Sequence, residues 1–428
     1  MHMPPRADQQ VILAGQATPS DLAALAELVR QRLAANPWPL PPSSFPPGSA
    51  LVGGAVRDAL LDRLRPCPDL DLVIAADAIA LAKSLARQWG GTAVVLDGER
   101  CIARLVLKGW TLDLARQAGA DLEEDLGRRD FSINAIACPL GQGTALVDPT
   151  GGLQDLNAGQ LVAISEANLQ ADPLRLLRGL RLASELDFCL GAASSEWIAR
   201  HAPMLGQVAG ERVLAELEKL AACANGHRGL QRAMELGLMG CWQADPAGQS
   251  RLEQLGEGAA SCRNFNPAET AEFLPLARLA ALFAPSALGA LRSSRRLQKR
   301  CGLLRQWQAT LASHGGIEDL VSLENLAEME RWQLHQELEA DLPALLLALP
   351  VAEARAALAR WHDPSDPLFH PQSPIDGRTL QRELGIPAGR ELGSLLEHLS
   401  LERAFARLPG ASPEVMLACR KWLNSRRD

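Results

Sequence analysis

Short bursts of alternating apolar and polar residues run from residue 50 to about 155, and a longer helical rhythm replaces them from about residue 160 to the end. In the first region LVGG (51–54), DLDLVI (69–74), TAVVLD (92–97), CIARLVL (101–107) and TLDLA (111–115) are brief apolar runs separated by turn formers, which predicts five strands. AIALAKSLARQW (78–89) reads as a helix between them. The Asp97-Gly98 step joins two of the strands and predicts a hairpin, so the sheet should hold antiparallel pairs and not be a doubly wound parallel one. These features describe a small α+β domain.

Beyond residue 160 leucine-rich periodicity predicts a string of helices, broken by Gly or Pro near 225–246, 264–275 and 363–375. No fixed period recurs, which argues against a solenoid of identical units. Ahead of the α+β domain, DLAALAELVRQRLAANP (21–37) is helix-like and WPLPPSSFPPG (38–48) is too rich in proline for a regular element. Residues 1–47 therefore read as accessory, with the domain proper starting after them.

A chain of 428 residues exceeds one compact core, so several domains are expected. About half of the residues are apolar, yet no apolar run reaches the roughly 18 to 20 residues that span a bilayer. The start, MHMPPRADQQ, lacks the basic cluster and apolar core of an export signal, and the nine cysteines include no Cys-x-x-Cys pair. A soluble cytoplasmic protein with free thiols is the expectation. The formal charge of −7 excludes indiscriminate coating of nucleic acid but not a local basic groove.

Chemistry concentrates in LVGGAVRDALLDRLRPCPDLDLVI (51–74). Side chains alternate across a strand, so Asp69 and Asp71 project from one face, and two crowded carboxylates are costly unless a divalent cation joins them. Hard carboxylate oxygens suit Mg2+. Gly53 and Gly54 end a strand just before a helix, which lets bare backbone approach an anionic phosphate, and Arg57 on the first turn offers a planar donor fork. A phosphate-holding turn ahead of a metal-holding strand points to a nucleoside triphosphate with its metal. Asp113, on another strand, completes the metal site if that strand lies beside the first.

GGAVRD, DLDLVI, RRDFSINAIA (128–137) and ADPLRLLRGLRLASEL (171–186), in that order and spacing, resemble the bacterial class of CCA-adding tRNA nucleotidyltransferases and the related bacterial poly(A) polymerases. GERVLAELEKL (210–220) is similar to the family's neck helix, and residues 373–399 look like its tail. The resemblance implies a polymerase-beta-like head with a mixed or antiparallel sheet over 48–158, then an all-α neck (159–225), body (226–365) and tRNA-binding tail (366–428). It implies that Asp69 and Asp71 hold Mg2+, that Gly54 and Arg57 contact the triphosphate, and that Arg129, Asp130 and Asn134 contact phosphate and ribose. It assigns base reading to Asp172 and Arg175, with Arg178 and Arg181 nearer phosphate.

The base-reading roles have a chemical basis. Cytosine and adenine both pair an exocyclic amine with a ring-nitrogen acceptor, so an Asp acceptor beside an Arg donor matches them and leaves unpaired polar groups against U and G. Asp172-Pro173 is also a helix start, an N-cap before a first-turn proline. One departure stands out: where the family usually carries Glu just before this Asp, the chain has Ala171, which predicts a less constrained Arg175 and restricted or relaxed selectivity.

The densest basic run, Arg292, Arg295, Arg296, Lys299 and Arg300, is expected on one helix as a track for RNA phosphate. Trp307 and Phe283 are the nearest aromatics, too few for a single-strand stacking platform, so shape recognition of folded tRNA is expected. WHDPSDP (361–367) reads as a loop and not a phosphohydrolase site. The expected activity is Mg2+-dependent, template-independent addition of C, A or both from CTP and/or ATP to the tRNA 3′ end. Its rivals are CC-only or A-only addition, poly(A) synthesis and, in a different class, a catalytically dead tRNA-binding factor.

Overall fold

The structure is a computed structural model that describes residues 18–34, 38–256, 258–314, 322–408 and 413–425. The stretch MHMPPRADQQ, read above for an export signal, and the last three residues of the first helix-like run lie outside the described residues. The chain forms two compact units that divide after Val208, inside the segment expected as one neck.

The first unit is built on a six-stranded sheet, β1 (Ala50–Val52), β2 (Leu70–Ile74), β3 (Thr92–Asp97), β4 (Ile102–Leu107), β5 (Trp110–Arg116) and β6 (Ala137–Pro139), in the spatial order β3-β4-β5-β2-β1-β6. Only β2 and β5 run parallel; the other neighbours are antiparallel, so the sheet is mixed. β3 and β4 form the hairpin expected at Asp97-Gly98, with a register shift between Val95 and Asp97. Alternation assigns Leu70, Leu72, Leu105, Leu107, Leu112 and Leu114 to a buried face. Asp71, Asp113 and Arg104 are paired in register across β2, β5 and β4 and share the opposite face.

Seven further helices carry the chain around this sheet: α1 (Pro19–Ala34), α2 (Gly54–Leu60), α3 (Ala78–Trp89), α4 (Leu122–Gly127), α5 (Gly152–Ala158), α6 (Glu166–Ala171) and α7 (Leu174–Leu186), before α8 (Ala192–His201) closes the unit. α3 starts on an Asp77 cap and ends at Gly90 in the left-handed region, and it packs on β3, β4 and β5. α1 packs against α2. It buries Leu25, Ala26, Val29 and Leu33, and Arg32 Nη1 donates to the carbonyl of Ala59 at 2.6 Å while Arg30 Nη2 donates to that of Thr144 at 2.7 Å. The proline-rich segment contains a 3-10 turn at Pro42–Ser44. A two-residue parallel pair, β7 (Gln160–Leu161) with β8 (Cys189–Leu190), interrupts the segment expected to be all helix; two residues carry no readable periodicity.

The second unit is helical among its described residues: α9 (Gly210–Ala222), α10 (Gly226–Glu235), α11 (Gly248–Glu253), α12 (Pro267–Leu282), α13 (Pro285–Ala290), α14 (Arg295–His314), α15 (Glu328–Leu338), α16 (Leu342–Leu346), α17 (Val351–Trp361), α18 (Gly377–Leu384), α19 (Arg390–Ala404) and α20 (Pro413–Asn424). α12 continues through Pro275, where a break was expected, because an Asn266–Glu269 capping box starts it at Pro267 and its flanks are deeply buried. α18, α19 and α20 share a small core of Leu380, Leu392, Leu395, Leu399, Val415 and Cys419. No helix among the described residues is long and apolar enough to cross a membrane.

Candidate active site

Gly53 is the pivot of the site. It has φ +73°, a region that L side chains rarely adopt, and a Cβ there would lie 2.7 Å from Asp71 Oδ2. Glycine is thus required both by the turn that starts α2 and by the carboxylate that the turn touches. Asp71 lies beside Asp113 in the parallel register of β2 and β5, the adjacency that the sequence left open, and Asp69 lies two residues before it and exposed.

The three carboxylates differ in their partners. Asp113 is held in a two-pronged ion pair by Arg104, Nε to Oδ1 and Nη2 to Oδ2, each at 2.8 Å. Asp71 lacks such a partner: burial raises its carboxyl above the ordinary range, Asp113 and Asp69 push the same way, and Arg129 and Arg178 offset only part of this. The donor chemistry of Asp69 and Asp71, hard carboxylate oxygens near enough for Asp69 to raise Asp71, fits a divalent metal. No group of three His, Cys, Asp or Glu that could hold a metal ion is found among the described residues.

Arg57 is buried and does not present an open fork. Its Nε donates to Asp58 Oδ1 at 2.8 Å and its Nη1 to Asn134 Oδ1 at 2.9 Å. Asn134 Nδ2 donates to Asp130 Oδ1 at 3.2 Å, Asp130 Oδ1 also accepts from the Phe131 N–H at 2.8 Å, and Arg178 Nε meets Asp130 Oδ2 at 3.1 Å. Burial by itself would raise Asp130, but Arg178, Asn134, the Phe131 N–H and Arg175 hold it below the ordinary range. An unbroken polar chain thus ties α2, the RRD segment and α7 together, and in this structure Arg57 braces the site. Arg129 lies 3.5 Å from Asp125, with its Nε buried and without a partner.

Asp172 is not the N-cap of α7 as expected: it is the C-cap of α6, Pro173 takes the N-cap position of α7 without a side-chain cap bond, and Asp172 meets the helix start only through the Leu174 N–H, 3.3 Å from its Oδ1, and the Arg175 N–H, 2.9 Å from its carbonyl. Arg175 is more constrained than Ala171 suggested. Its Nη1 donates at 3.0 Å to the carbonyls of both Arg128 and Asn168, and burial lowers its guanidinium from the usual range. Arg181 pairs with Glu185 at 2.5 Å. Sequence reasoning missed Arg104, although alternation along CIARLVL already turned it to the Asp113 face. It also missed Asn168, an isolated residue with no sequence signal.

The basic run is divided. Arg292 lies before α14 with φ +55° and pairs with Glu211 at 3.2 Å, and Arg300 is tied to Asp341 at 2.6 Å. Arg295, Arg296 and Lys299 remain exposed on the first turns of α14. Trp307 and Phe283 are buried, in line with the absence of a stacking platform there.

A mixed sheet that sets two acidic strands side by side, next to a glycine turn and a helical extension, defines the nucleotidyltransferase class. The poly A polymerase head domain matches residues 49–162, and the probable RNA and SrmB- binding site of polymerase A matches residues 187–241. The CC-adding tRNA nucleotidyltransferase of Synechocystis sp. is 35% identical over 83% of this chain and 89% of its own length. That of Thermus thermophilus is 32% identical over 91% and 96%, and the A-adding enzyme of Deinococcus radiodurans is 43% identical over 47% and 46%. The fold is that of the Thermotoga maritima CCA-adding enzyme complexed with tRNA (TM-score 0.68, 22% identity, 96% and 98% covered). The chain belongs to the bacterial tRNA nucleotidyltransferase and poly(A) polymerase family.

Proposed function

We propose that the protein adds C and A residues to the 3′ end of tRNA from CTP and ATP, without a nucleic-acid template. The observation that carries the reading is the Gly53–Asp71–Asp113 arrangement: a glycine turn with no room for a Cβ beside a carboxylate that burial and neighbouring acids push above the ordinary range, on a strand register that brings a second acid alongside. In the reaction the primer 3′-oxygen forms a bond to the α-phosphorus, the bond to the bridging oxygen breaks, pyrophosphate leaves and the hydroxyl proton passes to solvent or base. Asp69 and Asp71 are the residues that would hold Mg2+, which when bound lowers the pKa of the attacking hydroxyl and neutralises the departing pyrophosphate.

The remaining roles belong to this chain's side chains. The Gly53-Gly54 backbone leaves room for the triphosphate, and Arg57, Asn134, Asp130 and Arg178 hold the surrounding walls. Arg129, with an unsatisfied Nε, is the donor best suited to a phosphate or ribose oxygen. Asp172 and Arg175 present acceptor and donor to the base edge. Arg295, Arg296 and Lys299 supply the cationic track for folded tRNA.

A second reading, CC addition without the final A, is favoured by one observation: the Synechocystis and Thermus relatives, which align over most of this chain, are both named CC-adding. The deciding experiment supplies Mg2+ and tRNAs ending at the discriminator base, at C and at CC, with CTP, ATP or both, resolved at single nucleotides. Extension of all three to CCA supports the first reading; a stop at CC supports the second. Absence of any addition overturns both in favour of a tRNA-binding factor.

A further inference from the structure

The carbonyls at the end of a helix lack intrahelical donors, and α4 ends in the segment that leads to Arg129 and Asp130. Three successive carbonyls there are claimed from one neighbouring stretch. Asn168, on α6, donates from its single amide nitrogen to Gly127 O at 2.8 Å and to Arg129 O at 2.7 Å. The carbonyl between them, of Arg128, accepts Arg175 Nη1, which also reaches the carbonyl of Asn168 itself. Ser165 caps the Asn168 N–H at 3.1 Å and fixes the short helix that carries it.

This arrangement uses both amide hydrogens of Asn168, and both partners are carbonyl oxygens, so the amide orientation is set by chemistry. The Arg175 guanidinium is bracketed by two main-chain oxygens whose separation depends on how α6 sits against the RRD segment. Asn168 joins those two segments directly. Ala171, exposed beside Asp172, offers no carboxylate to Arg175, so the main chain holds the arginine instead.

We propose that Asn168 is a positioning residue for nucleotide selection, which sets the reach of Arg175 toward the base by clamping the carbonyls of Gly127 and Arg129. The inference rests on the reading of Arg175 as a base-contacting residue. Asn168 touches neither nucleotide nor metal in this role. Its amide fixes the frame within which Arg175 donates, and loss of that frame relaxes discrimination more than turnover.

The test measures kcat/KM for CTP and for UTP on a tRNA ending at the discriminator base, in the full chain, for Asn168→Ala, Arg175→Ala and the double variant. The expected result is a fall of about tenfold in the CTP-over-UTP ratio for Asn168→Ala, with tRNA affinity unchanged and little further fall when it is added to Arg175→Ala, since coupled groups are not additive. Asn168→Asp, of equal size but with acceptors facing two carbonyls, should lower the ratio as well and serves if the alanine variant folds poorly. An unchanged ratio in Asn168→Ala and Asn168→Asp with a lowered one in Arg175→Ala overturns the positioning role alone, as does a fully additive double variant. An unchanged ratio in Arg175→Ala overturns the base-reading role, and the inference with it.

Discussion

Asp71 in the first unit and Asp245 in the second are both carboxylates among arginines, and their environments push them in opposite directions. Asp245 is gripped by Arg305 Nη2 at 2.6 Å and Arg251 Nη2 at 2.5 Å, and with the Ala247 N–H these hold it down at about 2 against the pull of desolvation. Asp71 sits among acids, with Arg129 and Arg178 acting only from a distance, and burial raises it. The same contrast separates their surroundings. The second unit buries Arg278 completely and matches it with the carbonyls of Leu255, Ala221, Cys223 and Ala224, and it matches Arg263 with those of Leu349 and Ala259. A charge whose partners are all internal is scaffolding, and one left short of them is available to a ligand.

Substituting each member of the pair should separate activity from stability. Asp71→Asn should lower nucleotide addition on the order of a thousandfold or more while tRNA affinity and urea-unfolding stability hold, since the ionised acid contributes no internal partner. Near-normal turnover in single-turnover assays would remove Asp71 from the metal site. Arg278→Met should cost about 3 to 5 kcal/mol in urea unfolding, because four carbonyls lose their donor inside the core. A small cost would mean that water replaces the guanidinium and that the distinction between the units is overstated.

Asp245→Asn should cost on the order of 1 kcal/mol at neutral pH, discounted for its partial exposure, with nucleotide addition retained. Its folded pKa lies below the unfolded value, so the stabilisation is present above about 3.8 and is lost as the pH falls through about 2; the variant should lack that acid-side slope. The smallest effect concerns the exposed cations. Replacing Arg295, Arg296 and Lys299 together by Ala should weaken tRNA binding and lower its salt slope by about 1 per residue that meets phosphate, with kcat at saturating tRNA unchanged. An unaltered slope would assign RNA binding to another surface.

Much of the first unit was legible because its signals are local. Five strands, the hairpin at Asp97-Gly98 and the helix of residues 78–89 each announce themselves within a dozen residues. The glycine turn was legible for the same reason, and alternation predicts Asp69 and Asp71 on one face, although the strand itself begins at Leu70. How closely α1 packs was not legible, because its proline-rich neighbour resembles a linker, whereas burial of Leu25, Val29 and Leu33 is a property of what they meet.

What the sequence determined by itself, then, is the kind of chemistry: the strand-then-helix order and the acids follow from residue type and near-neighbour spacing, while the RRD segment and the Asp172–Arg175 pair are singled out by the family resemblance. Only the tertiary structure decided which charges are spent. It paired Arg104 with Asp113, turned Arg57 inward to Asn134, took Arg300 out of the basic track with Asp341 and set Asn168 against the carbonyls of Gly127 and Arg129. These partners lie from nine to 77 residues apart in the chain, and hydrogen bonds act over about 3 Å in space, so no window along the sequence contains both halves of the interaction.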